Sequence, residues 1–546
     1  MINKLKKLES TFHIGQATII IASFTLLSRV TGFARDILLA RTLGLSADSD
    51  IYFTAFRIPD LVYNLLILGT LSVAFIPVFS QYYLKDKPRA FAIASTILNI
   101  SAIGMAFICL IIFFLATPLT KLVAPGFSPE QIHSTAMITR IMMLSPIIFT
   151  ISNVFSSVLI SLKKFLIVNI APLVYNLGII IGIVFLYPRF GLVGLAYGVI
   201  LGALLHASIQ LPEALRHGFK WKPVINYMDP GVRKIGALFL PRIVGLDNSY
   251  VNLIIVSIIG SSLATGSITA FNYANNIQAV ALGIFALSSA VAIFPVLSEY
   301  FAKDDTKGFV STLQHTIIRV LYFIIPVTII TLLLRAHIVR LLLGYGACDW
   351  TCTVTTFDTL GILSLGLVAQ SLIPLFARSF YSRQNTKTPV AISLIGMFLN
   401  GILSYFLSAG LGVVGIALGF VIASTVQCIL LFVYLHRELN TTDKATQRVL
   451  NMFNATLVTQ TLKILLASVL LGGVVYGSLY LLDPILDTHT VIGIFLQAAI
   501  STTLGGIAYI ALTRYLDVME SKAIANGVFK VLRFITGRKV DDKPVL

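Results

Sequence analysis

Apolar runs of about 18 or more residues recur from one end of the chain to the other, separated by short polar stretches. An α-helix rises about 1.5 Å per residue, so roughly 20 apolar residues cross a bilayer core. The pattern predicts about fourteen such helices. Their expected limits are 14–44, 47–83, 91–117, 135–160, 165–187, 191–214, 232–259, 266–299, 309–344, 355–380, 388–408, 412–437, 458–482 and 490–515. Several are longer than one bilayer thickness and must tilt, bend or project from it. The short alternating segments of a membrane β-barrel are absent. The pattern is that of an all-α polytopic membrane protein.

The runs repeat. Ala74–Asp86 returns as Ala292–Asp304, 218 residues later, and Gly191–Gly198 returns as Gly412–Gly419, 221 residues later. Two matches in the same order at nearly the same spacing point to duplication of a six-span unit. Six is even, so both halves share one orientation, and substrate sites of transporters built this way lie near the midplane between the repeats. The expected organisation is a first half over 1–222, a second over 223–440, an appended helix pair over 441–520, and a basic tail over 521–546.

Composition agrees with the pattern. The chain has 546 residues, 57% hydrophobic and 12% charged, and a soluble chain would carry about twice that charge. Lys and Arg number 40 against 23 Asp and Glu. The excess gathers after the even-numbered spans, as in Lys85–Arg89, Lys163 and Lys164, Arg216–Lys222, Lys303 and Lys307, and Arg383–Lys387. Most odd-numbered connections have little positive charge. By the positive-inside rule both termini lie in the cytoplasm, with the chain in the cytoplasmic (inner) membrane. Basic residues scattered over short loops do not make a nucleic-acid surface. Lys4, Lys6 and Lys7 precede a run too long for a signal peptide, with no small-residue cleavage site. Cys348 and Cys352 fall in an extracytoplasmic loop, where a disulfide or two free thiols are both open readings, whereas Cys109 and Cys428 read as packing residues. No HExxH, GxSxG or Walker A pattern is present, and the extracytoplasmic loops are short. The expectation is a protein that is not an enzyme and holds neither cofactor nor metal.

Charges inside the spans carry the candidate chemistry. Ser28–Asp36 closes the first span and contains Arg29, Arg35 and Asp36. If the helix enters near Ile14, Arg29 lies roughly 22 Å in, too deep to snorkel easily. A charge at the centre of a membrane helix costs on the order of 3 kcal/mol, so such residues face protein or a wet cavity. In the second span Pro59 should bend or break the helix, with Asp50, Arg57 and Asp60 flanking the break. The matching stretch of the second half, Asn272–Gln278, is polar but uncharged and includes Asn276. Its amides would line a cavity or bond between helices. Arginine forks bind phosphate bidentately, so Arg29 and Arg35 suit an anionic, phosphorylated ligand. Asp247, in the seventh span, is a further intramembrane acid.

These segments resemble the MurJ (MviN) family of lipid II flippases, within the MOP exporter superfamily. Ser28–Asp36 is similar to that family's first-helix signature, Asp50–Pro59 to its second, and Phe380–Val390 to its turn between spans ten and eleven. The resemblance implies two six-helix lobes in a V around a central cavity, plus a C-terminal pair forming a groove for a lipid tail. It implies movement of undecaprenyl-pyrophosphate-linked peptidoglycan precursor from the inner to the outer leaflet, with membrane lipids and cell-wall synthesis proteins as partners. Carried over by position, Arg29, Arg35 and Asp50 match cavity residues, Ser28 adjoins them, and Asp60 and Asn276 complete the expected substrate-binding set. The chain departs from the family at Tyr63 and Asn276, where arginine is usual, and at Leu68 and Ala279, where acidic partners are lost together with them. Of a sodium site found in some members, Val256, Asn400, Ser404 and Phe420 occupy the positions here, and only Asn400 keeps the expected type. The rival readings are a flippase for another polyprenyl-linked glycan, a transporter of a drug-like cation, a non-transporting scaffold of the cell-wall machinery, and an integral-membrane glycosyltransferase.

Overall fold

The computed structural model describes residues 14–66, 71–243, 248–442 and 454–521. Asp247, Leu68 and the basic tail beyond Ser521, each singled out in the sequence, lie outside the described residues. Each of the fourteen predicted stretches is helical where described. Ten are long and apolar enough to cross a membrane, and the pair Trp350–Leu365 and Leu367–Ser382, bent by 47°, makes an eleventh. The first, second and seventh stretches are helical where described.

The second stretch is built in pieces. It runs as Ala47–Ala55, Arg57–Leu66 and Leu71–Lys85. Ser46 starts the first piece through a reciprocal cap: its hydroxyl accepts the Ser49 N–H at 3.2 Å, and the Ser49 hydroxyl accepts the Ser46 N–H at 3.0 Å. The chain breaks at Phe56, and Pro59 falls in the first turn of the next piece, where a missing N–H costs nothing.

The duplication recurs in the backbone. Gly191 and Gly412 both turn at φ 58°, a left-handed conformation that side chains other than glycine's adopt at a cost, with ψ of −142° and −138°. Three residues on, a Cβ on Gly194 would sit 2.3 Å from the Leu186 carbonyl oxygen, and one on Gly415 would sit 2.3 Å from that of Leu407. Lys163 and Gln384, again 221 residues apart, turn at φ 60° and 61°.

Contacts group the chain into two compact units, one of residues 1–272 with 345–352, the other of 273–344 with 353–546. The core of the first is an aromatic run that ties three helices to the segment after the fourth. Phe75 stacks on Phe79 at 5.2 Å, Phe79 meets Phe91 edge-on at 5.8 Å, and Phe219 receives both Phe91 and Phe155, at 6.3 and 5.7 Å. Helices Phe165–Ile181 and Leu192–Arg216 approach through glycine. A Cβ on Gly198 would lie 2.5 Å from the Cα of Gly182, which is the small-residue packing that membrane helices use in place of a hydrophobic drive. The loop 345–352 belongs to this unit. Tyr345 lies under the Arg41 guanidinium at 5.1 Å, and the Ala347 N–H donates to the Arg41 carbonyl at 2.8 Å. Cys348 and Cys352, left open by the sequence, are joined as a disulfide, while Cys109 and Cys428 are free and buried.

The second unit has its own core, in which Phe309, Leu313, Phe376 and Phe380 pack with Ile464 and Leu471 of the Ala455–Leu482 helix. The terminal pair is fixed to the Thr306–Leu333 helix by polar bonds as well. The Tyr509 hydroxyl donates to the Tyr322 carbonyl at 2.7 Å, and within the pair Gln497 donates to the Leu479 carbonyl at 3.0 Å.

Candidate functional site

The site begins at the end of the Ile14–Leu43 helix. Arg35 and Asp36 are sequence neighbours, and the arginine folds back so that Nε and Nη2 both donate to Asp36 Oδ1, at 2.9 and 2.8 Å. Nη1 donates to Asn176 Oδ1 at 3.2 Å, and Asn176 Nδ2 donates in turn to the Ser28 carbonyl at 3.2 Å. Asn176, on the Phe165–Ile181 helix, therefore clamps the first helix about one turn away on each side of Gly32. A guanidinium carries five N–H donors, and these bonds use three. The Arg35 side chain keeps 26% exposure, against 11% for Asp36. One flank of the cation is neutralised and the other is presented. Tyr52 and Tyr175 stand within its field.

Arg29, one and a half turns earlier, is exposed and pairs with no described acid. Ser28 contributes its carbonyl, which also accepts from the Thr31 hydroxyl at 2.9 Å.

The broken second stretch supplies the other charges. Arg57, at the start of its helix and 6% exposed, donates through Nε to the Ser257 hydroxyl at 2.8 Å and through Nη2 to Asn272 Oδ1 at 2.9 Å. It thereby stitches the Arg57–Leu66 helix to Asn248–Gly260 and to Ser267–Ala281. Asp60 is half-buried, one turn on, and electrostatically coupled to both Arg57 and Arg35. Asp60 thus lies in the field of two arginines of the first unit, balancing Arg57 as Asp36 balances Arg35.

Asp50 does different work. Its Oδ2 accepts the Gly266 N–H at 2.6 Å, and its Oδ1 accepts the Thr269 N–H at 2.9 Å and the Thr269 hydroxyl at 2.7 Å. It caps, from another helix, the N-terminus of Ser267–Ala281, where the macrodipole favours a negative charge. No hydrogen bond among the described residues links it to Arg29, Arg35 or Arg57. Both carboxylate oxygens accept here, and asparagine keeps only one acceptor, so Asp50→Asn would turn an NH2 against the Gly266 or the Thr269 N–H. Asp50→Asn should therefore lose about 1–3 kcal/mol of stability, and Asp50→Ala at least as much. Melting of the two purified variants checks this. An asparagine variant as stable as wild type would mean that the second acceptor oxygen holds nothing in place.

Tyr63, where the resemblance expects arginine, belongs to an aromatic wall. Its ring meets Phe149 at 5.2 Å, and Phe149 meets Tyr175 at 5.1 Å and His206 at 5.3 Å. Asn64 turns its amide onto the Asp60 carbonyl at 2.7 Å. Asn276 is half-buried in the second unit. At two of the positions where the resemblance implies a sodium site in some members, the Ser404 hydroxyl donates to Asn400 Oδ1 at 2.9 Å and both residues are buried. Among the described residues no group of three or more His, Cys, Asp or Glu side chains gathers to hold a metal.

Asn176, Ser257 and Thr269 were not singled out in the sequence. Their one signal was a polar side chain inside an apolar span, and several such residues merely back-bond to their own helix, as Thr150 and Ser468 do.

Comparison with known proteins adds five findings. The family model described as "Lipid II flippase MurJ" matches residues 39–483. A probable lipid II flippase MurJ of Vibrio cholerae serotype O1 is 30% identical over 435 residues, 77% of this chain and 82% of the relative. The lipid II flippase MurJ of Burkholderia cenocepacia is 27% identical over 442 residues, 78% of this chain and 84% of its own. Among solved structures, the inward closed conformation of a lipid II flippase MurJ superposes with a TM-score of 0.73 at 24% identity, covering 91% of this chain and 99% of that one. An inward-facing multidrug transporter of the MATE family, in the MOP superfamily, matches with a TM-score of 0.66 at 16% identity over 78% of this chain.

Proposed function

The chain belongs to the MurJ family of lipid II flippases, and from that premise we propose that it carries an undecaprenyl-pyrophosphate-linked peptidoglycan precursor from the cytoplasmic to the outer leaflet. The observation that carries the reading at the level of chemistry is Arg35. It is oriented by Asp36 and Asn176, and two N–H donors remain for a phosphate oxygen. Arg29 adds a second, exposed guanidinium on the same helix. Ser28 and Asp60 border the binding set, and Asp50 holds the adjoining helix in place.

The two repeat halves, 1–222 and 223–440, would exchange the leaflet to which the headgroup is open, with the break at Phe56 as hinge. The tail of the lipid would run along the pair within 441–520. Both termini would be cytoplasmic, in the inner membrane, beside cell-wall synthesis proteins. The activity needs no bond making, so the protein would be a transporter and not an enzyme, without a cofactor. An inside-negative potential favours outward movement of an anion by about 2.3 kcal/mol per charge per 100 mV, which supplies direction without a coupled ion.

A second reading, export of a different polyprenyl-linked glycan, is favoured by one observation. Where arginine is expected, Tyr63 stands in an aromatic wall with Phe149 and Tyr175, a surface suited to sugar rings as well as to charge. Proteoliposomes that hold the purified protein and a headgroup-labelled lipid-linked precursor decide between them. Protein-dependent crossing of the peptidoglycan precursor is the expected result. Crossing of another polyprenyl-linked glycan, with the precursor left behind, would move the assignment to the second reading.

A further inference from the structure

After the Leu192–Arg216 helix the chain turns at Gly218, φ 96°, and runs as an extended strap over residues 219–226. The strap lies along the Lys87–Val123 helix and is pinned there by side chains of that helix. The Ser95 hydroxyl donates to the Lys220 carbonyl at 3.2 Å, and Asn99 Nδ2 donates to the carbonyls of Lys222 and Val224, at 2.8 and 3.0 Å. In return Trp221 Nε1 donates to Asn99 Oδ1 at 2.9 Å. Asn99 is 9% exposed and fully engaged, so the strap is held in one place.

An extended chain sends alternate side chains to opposite sides. Here Trp221, Pro223 and Ile225 line one wall of a groove of about 570 Å³, and Ile103, Phe155 and Leu211, from three membrane-spanning helices, line the rest. Trp221, Ile225, Tyr227 and Met228 nevertheless stay exposed, at 59%, 48%, 65% and 59%. Between the groove-lining residues stand Lys220 and Lys222, both exposed, with Arg216 just before them. The acids nearby are already engaged: Glu213 faces Arg216 at 3.6 Å and His217 at 3.4 Å, and Asp229 holds Arg89 at 3.1 Å. The strap therefore offers uncompensated positive charge at the mouth of an apolar slot. Exposed Trp and Tyr beside it mark the height of the headgroup layer.

We propose that this groove is a site for a resident anionic phospholipid. One acyl chain fills the slot between the strap and the three helices, and the phosphate lies against Lys220 and Lys222. The volume suits a length of hydrocarbon chain, the lining is apolar but for Asn99, whose amide is already engaged by the strap, and charge complementarity selects an anionic headgroup over a zwitterionic one. The lipid is not the transported one, so the proposal stands or falls apart from the substrate assignment. Its effect would be to lock the connection between the two repeat halves to the membrane surface.

Native mass spectrometry of the full-length protein, titrated with phosphatidylglycerol or with phosphatidylcholine of the same acyl chains, tests it. Wild type should bind one phosphatidylglycerol at least tenfold more tightly than phosphatidylcholine. Lys220→Gln with Lys222→Gln should bring that preference down by roughly tenfold while the melting temperature stays put, since both side chains are exposed. Ala102→Trp, which fills the slot from the Lys87–Val123 side, should remove the tight site for both lipids. Equal retention of the two lipids by wild type would overturn the proposal, as would phosphatidylglycerol binding unchanged in both variants.

Discussion

Arg35→Ala is expected to slow lipid translocation in proteoliposomes by tenfold or more while the protein still inserts and purifies as wild type does. The argument rests on how the side chain is divided. Three of its N–H groups are spent on Asp36 and Asn176, which hold the fork in place, while the side chain as a whole keeps about a quarter of its surface open. A hydrogen bond to a charged group contributes about 1.5–3 kcal/mol, which is a factor of roughly 10 to 150 in rate if it forms only with the moving phosphate. Arg35→Lys separates charge from geometry. It keeps a cation beside Asp36 but loses the planar fork, so it should recover only part of the activity. Wild-type rates in Arg35→Ala would remove Arg35 from the binding set and leave Arg29 as the sole anchor to test.

The second large effect is on stability. Arg57→Ala should lower the unfolding free energy by about 3–5 kcal/mol, the usual consequence of removing one partner from a buried charge network. Arg57 is nearly inaccessible and joins three helices through Ser257 and Asn272. Its removal takes the Arg57 donor from Asn272 Oδ1 and one of the two bonds of the Ser257 hydroxyl, and leaves Asp60 without its nearest compensating cation. Adding Asp60→Asn to Arg57→Met should recover much of the loss, because the stranded charge is then gone and the methionine fills the space. Thermal melting in detergent measures both. A single variant that melts with wild type would show that Arg57 is solvated and holds nothing together.

The spans were legible because hydropathy is a local property. The first predicted stretch, 14–44, is the helix Ile14–Leu43, and the last, 490–515, is Val491–Tyr515. The duplication was legible for the same reason. Gly191 and Gly412 stand at turns that only glycine makes easily, so the matching sequence carries matching backbone. The break in the second stretch was foreseen from Pro59, but the chain turns at Phe56, since proline is at ease in the first turn of the helix that follows it.

The site was legible only in part. That Arg35, Arg57 and Asp60 needed partners followed from the cost of a charge in lipid. Who the partners are did not follow. Asn176 stands 141 residues from Arg35, Asn272 stands 215 from Arg57, and Gly266 stands 216 from Asp50. Asp50 is the plainest case. Read along the chain it is one acid among the charges around a broken helix, and its role as a cap on Ser267–Ala281 exists only once that helix end is placed against it. Nor could the residues tell that Arg29 would be left exposed while Arg35 is clamped six positions later.

By itself, then, the order of amino acids determined which stretches are helices, that they belong in a membrane, that the chain is doubled, and which charges lipid would not tolerate unassisted. The free energy of transferring a side chain or a helix out of water depends on composition within about 20 residues, and the sequence states that directly. The tertiary structure alone decided which hydrogen bonds satisfy those charges, because each such bond has a reach of about 3 Å and its two ends are brought within that reach only when distant helices pack.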